Sequence, residues 1–163
     1  MTFKTILDRI LSGLIAVLMA LMVVNVSWQV FSRYVLNDPS SFTDELSRYM
    51  MIWLGMAGSA LVSGKNGHLA IDLLPEKLHG MKKNLLFLVI HGLVIFFGLM
   101  VMVIGGGNLV YISDMLGQKS ATLQVPLSWI YSIIPVSGAL VVYYHVHHLI
   151  SALKNQPLPH GMD

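Results

Sequence analysis

The chain contains no cysteine. A disulfide, a thiolate metal site and a cysteine nucleophile are therefore all excluded. Charge is scarce too: Asp, Glu, Lys and Arg make up 11% of 163 residues, less than half of the roughly 25% usual in a soluble domain. No acidic residue falls in the middle of any long apolar run. That absence argues against a solute or proton pathway through this chain alone, because such pathways need polar or ionisable groups near the bilayer midplane. What is present instead is apolar: 55% of residues are hydrophobic and mean hydropathy is +0.70. The composition defines an all-α integral membrane protein. We read one membrane domain over residues 1–153 and a polar, proline-containing tail over 154–163.

Four spans are expected, at about 10–32, 42–62, 85–112 and 127–153. Lys4 and Arg9 precede the first run as in a signal peptide, but no A-x-A cleavage pattern follows, so it reads as an uncleaved helix. Asn25, Gln29 and Arg33 recur at four-residue spacing, a polar stripe suited to interhelical hydrogen bonds. Ala16 with Ala20, and Gly55 with Ser59, are small residues four apart, a pattern that admits a close neighbour. The loop at Gly64-Lys65 lacks P-loop spacing and a preceding strand, so phosphate binding is discounted. Leu74, Leu78, Met81 and Leu85 then line one helical face, with Lys77, Lys82 and Lys83 off it. This predicts a short amphipathic helix at about 73–83, lying on the membrane surface and held by anionic headgroups. Gly105 to Gly107 interrupt the third span, and Pro135 predicts a kink in the fourth. Seven Lys and Arg residues fall on one side of such a four-span chain and three on the other, which puts both termini in the cytoplasm.

The stretch Ser41 to Asp72 concentrates the informative residues. Ser41 reads as an N-cap, with Asp44 three residues on and Glu45 beside it in the first turn. Arg48 follows on the same face, and Tyr49 to Val62 carries no charge. Charges at a membrane boundary face protein more often than lipid. Arg33, Asp44, Glu45 and Arg48 are therefore expected to form a cluster near one membrane surface, with Arg33 reaching Asp44 or Glu45. The cluster would fix the first two helices together or dock a partner. An alternative assigns His91 and His145 as axial ligands of a haem, in a b-type membrane subunit. A third reading is an assembly subunit of another membrane complex.

Several segments in order resemble a known family. They are R-Y-V-L-N (Arg33 to Asn37), T-D-E-L-S-R-Y (Thr43 to Tyr49), W-L-G-M-A-G (Trp53 to Gly58), G-H-L-A-I-D-L-L (Gly67 to Leu74) and V-P-L-S-W-I-Y-S-I-I-P-V (Val125 to Val136). Together they resemble the DctQ-type small membrane subunit of tripartite ATP-independent periplasmic (TRAP) transporters, and most of all sialic-acid systems. The resemblance implies a free-standing, non-enzymatic subunit of the bacterial inner membrane. It implies two partners, a large membrane subunit holding the substrate and sodium sites and a periplasmic binding protein for an organic acid. No cofactor, metal or nucleic acid is expected on this chain. Structural or partner-facing roles fall to Arg33, Asp44, Glu45, Arg48, Tyr49, Trp53, Gly55, Ser59, Pro126, Trp129 and Pro135, and lipid contact to Lys77, Lys82 and Lys83.

Overall fold

The computed structural model describes residues 3–38, 40–65 and 81–153. Helix α1 covers Phe3–Tyr34 and α2 covers Ser41–Gly64. Helix α3, Met81–Phe97, runs without a break into a π-helical segment, Gly98–Gly105, and then into α4, Gly106–Met115. A short helix α5, Leu127–Tyr131, leads into α6, Ile133–Leu153. The described residues are helical apart from turns and one isolated antiparallel bridge between Lys119 and Pro126.

Three helical stretches are long and apolar enough to cross a membrane: Lys4–Tyr34, Leu86–Met115 and Leu127–Ile150. Four were expected. The fourth, α2, has the length, since its 24 residues rise about 36 Å. Its hydropathy is diluted by Arg48 and by a run of Gly, Ala and Ser. The predicted amphipathic helix at 73–83 falls mostly outside the described residues, and Met81 already belongs to α3.

The helices stand in a row rather than a closed bundle. α1 packs on α2, α2 on α6, and α6 on α3 and the π segment. α1 and α2 are antiparallel, since Asn25 of α1 bonds Thr43 at the start of α2 while Gly64 at the end of α2 faces Asp8 near the start of α1. α2 and the α5–α6 stretch run parallel, with Trp53 beside Ile130 and Gly64 beside Tyr144. The core is correspondingly small. Leu11, Ala60, Val141 and Tyr144 form its buried cluster, and large apolar side chains such as Val24, Leu93 and Ile104 point outward. An apolar exterior is what hydrocarbon requires of a spanning helix.

Several local details differ from the sequence reading, each for a physical reason. α1 begins at Phe3, not near residue 10, because Lys4, Asp8 and Arg9 continue the helix beyond the apolar run. The N-cap of α2 is Ser40, without a side-chain cap bond. Asp44 does not cap because it is engaged elsewhere. The irregularity in the third span lies before the glycine cluster, over Gly98–Gly105. There the chain meets α6 at backbone distance: a Cβ at Gly98 would lie 2.7 Å from Val142, one at Gly106 2.7 Å from Ile134, and one at Gly138 2.5 Å from Met102. The interruption expected from Pro135 falls one turn earlier, at Ser132 between α5 and α6. Proline cannot donate to the carbonyl four residues back, Tyr131, so the helix opens there.

Candidate functional site: a polar clasp at one end of the row

The polar stripe of α1 meets the first two turns of α2. Asn25 is buried, and its amide donates to the Thr43 carbonyl at 2.8 Å and to the Ser47 hydroxyl at 2.7 Å. One turn on, the Gln29 amide donates to Asp44 at 3.1 Å. The second Asp44 oxygen accepts from Arg48 at 2.7 Å, an exposed i,i+4 pair. Arg33 does not join. It is exposed, and the carboxylates it was expected to reach are already engaged by other groups.

Glu45 makes the longest reach. Its two oxygens accept the backbone N–H groups of Ala121, Thr122 and Leu123 at 2.9–3.0 Å, and the Tyr49 hydroxyl donates to it at 2.8 Å. The donors sit in the loop between α4 and α5, which is built to present them. α4 ends in a Schellman-type cap: Gly117 has φ of 59°, its N–H bonds the Asp114 carbonyl, and the Gln118 N–H bonds that of Ser113. The loop then closes on itself, Ser120 N–H to Val125 carbonyl at 2.9 Å and Leu127 N–H to Gln118 carbonyl at 3.0 Å. Gln124 takes a positive φ of 55° to make that turn. The hydroxyls of Ser120 and Tyr49 and the amides of Leu123 and Thr122 hold the Glu45 carboxyl down, to about 2, against its partial removal from water. Glu45 lies in the first turn of α2, ahead of the uncharged stretch from Tyr49 to Val62.

Two further bonds tie this end together. The Trp53 indole donates to the Ile130 carbonyl at 3.1 Å, beside the α5–α6 break. The Ser128 hydroxyl donates to Asp114 at 3.1 Å. Pro126 caps α5. Trp129 is exposed and, with Tyr111 and Asp114, lines an open groove of about 630 Å³.

The clasp thus gathers Asp44, Glu45, Arg48, Tyr49 and Trp53, and leaves Arg33 out. Gly55 and Ser59 face outward: a Cβ at Gly55 would meet nothing within 4 Å, and Ser59 is exposed. The small residues of α2 that pack are Ala57, Ala60, Ser63 and Gly64. Ala16 and Ala20 are likewise exposed. The side chains of Lys77, Lys82 and Lys83 lie outside the described residues.

A second polar centre lies at the opposite end; sequence reasoning pairs His91 with His145 there but misses Asp8 and Tyr144. The Tyr144 hydroxyl donates to Asp8 at 2.5 Å, and Gly64 makes room for that ring, since a Cβ there would lie 2.8 Å from it. Beside it His91, His145 and His148 are all buried. The ring centroids of His91 and His145 are 5.0 Å apart and meet edge to face, an ordinary aromatic contact. No porphyrin plane fits between rings in contact, so this pair does not suit a haem. Among the described residues, no three His, Asp or Glu side chains are grouped to hold a metal ion.

Helices of this length and hydropathy, with polar residues gathered at the ends, define an integral membrane protein. Residues 22–155 match the family described as tripartite ATP-independent periplasmic transporters, DctQ component. The chain belongs to that family and is a small permease subunit of a TRAP transporter, in the inner membrane. It is 23% identical over 156 residues to the sialic acid TRAP transporter small permease protein SiaQ of Vibrio cholerae serotype O1, covering 93% of this chain and 86% of the relative. A putative TRAP transporter small permease protein of Haemophilus influenzae is 36% identical over 72 residues, 44% of this chain and 45% of its own length.

Proposed function

We propose that this subunit is a stationary anchor for the large membrane subunit of a sodium-coupled TRAP transporter, and that the solute crosses through the partner alone. The solute is an organic acid, with sialic acid favoured over a C4-dicarboxylate because the SiaQ relative is named for sialic acid. The observation that carries this reading is where the acidic groups are used. Asp8, Asp44, Glu45 and Asp114 each accept a hydrogen bond from this chain's own side chains or backbone near a helix end. A subunit that carried an anion with sodium would need polar groups open to a pathway at the midplane.

Four crossings, with α2 as the fourth, make one membrane domain whose termini both face the cytoplasm. That topology puts the Glu45 clasp and the 116–126 loop on the periplasmic side, where the substrate-binding protein delivers its cargo. The outward small-residue face of α2, with Gly55 and Ser59, offers a close-packing surface to the large subunit. The chain itself has no catalytic role and no cofactor in this scheme, and sodium binds the partner.

The test is uptake by proteoliposomes containing this chain alone, the large subunit alone, or both, each with the binding protein and a sodium gradient. Accumulation requires the large subunit, and this chain raises it without transporting by itself. Sodium-driven accumulation with this chain alone would refute the proposal.

A further inference from the structure

The groove between α4 and α5 is used neither by the clasp nor by the transport reading. One wall is a single face of α4, with Gly107, Val110, Tyr111 and Asp114, and the other carries Ser128 and Trp129. From Gly107 to Asp114 it runs about 10 Å along the helix. Asp114 lies one residue from the end of the apolar stretch Leu86–Met115, and Ser128 and Trp129 open the stretch Leu127–Ile150. The Asp114 end therefore sits at headgroup level and the Gly107 end two turns deeper. A Cβ at Gly107 would meet nothing within 4 Å, so the deep end stands open.

Three features make the shallow end attractive to a cation. Asp114 falls in the last turn of α4, where the helix dipole disfavours an anion, and that turn holds no basic residue. Among the described residues only the Ser128 hydroxyl bonds its side chain, at one of the two oxygens. Tyr111 and Trp129 are 66% and 74% exposed, and such rings attract cations over their faces. The neighbouring carboxylates are already filled: Gln29 and Arg48 hold Asp44, and three amides hold Glu45. Among the described residues the one ion pair is Arg48–Asp44, so Asp114 has no cation of its own. Lys119, the next basic residue along the chain, is exposed beyond the Gly117 turn.

We propose that this groove is a binding site for a phospholipid with a primary ammonium headgroup, of the phosphatidylethanolamine class. The ammonium donates to the open oxygen of Asp114 against Trp129 and Tyr111, and the chain below the headgroup lies along Val110 and over Gly107. A charge-assisted bond of this kind is about twice as strong as a neutral one. A trimethylammonium headgroup keeps the attraction to the rings but has no N–H to give the carboxylate, and an anionic headgroup meets repulsion. The depth of the groove favours a lipid over a soluble amine, which would leave its apolar end uncovered. The chain by itself presents the groove to the bilayer, so lipid is its immediate neighbour, ahead of a basic segment from another protein.

The experiment is native mass spectrometry of the full chain in detergent with equimolar phosphatidylethanolamine, phosphatidylcholine and phosphatidylglycerol of identical acyl chains. The ethanolamine lipid is retained about tenfold over the other two, the effect of one charge-assisted hydrogen bond. Asp114→Asn keeps an oxygen for Ser128 but loses the charge, and its retention of the ethanolamine lipid falls to the level of the choline lipid. Equal retention of all three lipids, or an unchanged preference in D114N, overturns the proposal. Should D114N fail to fold, a phosphatidylethanolamine with a photoreactive group next to its glycerol decides in the unmodified chain. Labelling within 107–114 or 128–132 supports the site, and labelling confined to other helices overturns it. The same lipid is then offered to the chain in complex with its large membrane subunit. Retention there supports the site, whereas a complex that excludes the lipid overturns it and gives the groove to a basic segment of that partner.

Discussion

Two helix pairs in this protein are joined by opposite means. α1 meets α2 through amides, hydroxyls and carboxylates: Asn25 to Thr43 and Ser47, Gln29 to Asp44. The π segment and α4 meet α6 with almost no polar side chain, through Gly98, Gly106 and Gly138, where any Cβ would collide. Lipid supplies no hydrophobic force between helices, so association rests on close packing or on interhelical hydrogen bonds. Here one molecule uses the two solutions side by side. The glycine contact tolerates no added atom, whereas the polar contact is a sum of modest bonds and should degrade in steps.

That contrast can be broken at its strongest point first. Gly138→Ala adds a Cβ 2.5 Å from that of Met102, and overpacking of this kind costs about 1–3 kcal/mol. Thermal unfolding in detergent should show the largest fall of the series. Gly107→Ala is the internal control, with nothing within 4 Å of the new atom. It should be neutral or slightly stabilising, since alanine favours helix by about 1 kcal/mol. Equal losses at both positions would mean that the close approach is not what holds α4 on α6.

Next in size is the clasp. Glu45→Gln removes the charge that three backbone N–H groups share, and exchange protection of residues 121–123 should fall while the helices persist. The same carboxylate sets an acid limit. Its pKa is lowered from 4.5 to about 2, so its contribution is complete above about 4.5 and is lost as pH falls toward 2. The loop should therefore open over that interval, and E45Q should show no such transition.

Asn25→Leu comes third. Two interhelical bonds at roughly 0.6 kcal/mol each predict about 1 kcal/mol of destabilisation, read as a lower detergent unfolding midpoint. Arg48→Ala should be the smallest. Its partner lies one turn away and both side chains are largely exposed, so the change should stay below about 0.5 kcal/mol. A loss at Arg48 as large as that at Asn25 would move the polar contact from the α1–α2 seam to the surface.

Much of this was legible in the sequence because apolar runs announce themselves. Helices α2 and α5–α6 lie on the apolar runs that mark them, and the Asn25–Gln29 stripe faces its neighbour as the spacing requires. Other features were not legible. The partner of Glu45 is backbone N–H, which carries no side-chain signature, and it lies 76 to 78 residues away. The π segment is built wholly of Gly, Leu, Met, Val and Ile, so its pattern reads as ordinary apolar helix. Arg33 shares a stripe with Asn25 and Gln29, but it falls at the end of α1, where the chain turns at Asn37 with φ of 53° and leaves it facing outward. In α2 the small residues were visible, but which of them turn inward depended on the position of α6. The described Asp8–Tyr144 bond joins residues 136 apart and had no local sign at all.

The Glu45 clasp also has a consequence for biogenesis. A ribosome feeding this chain into the bilayer delivers the carboxylate first and its three amides more than 75 residues later, several seconds at ~5–20 residues per second. The initial hairpin, α1 with α2, must therefore settle on the bonds of Asn25 and Gln29 and its own packing, without the Glu45 clasp. Only when the polypeptide has crossed again and the tight turn at Gly117 has formed can the anion be captured. Capture of that anion then draws α4 to the entry of α2 before the last helix arrives, whose Tyr144 reaches Asp8 later still.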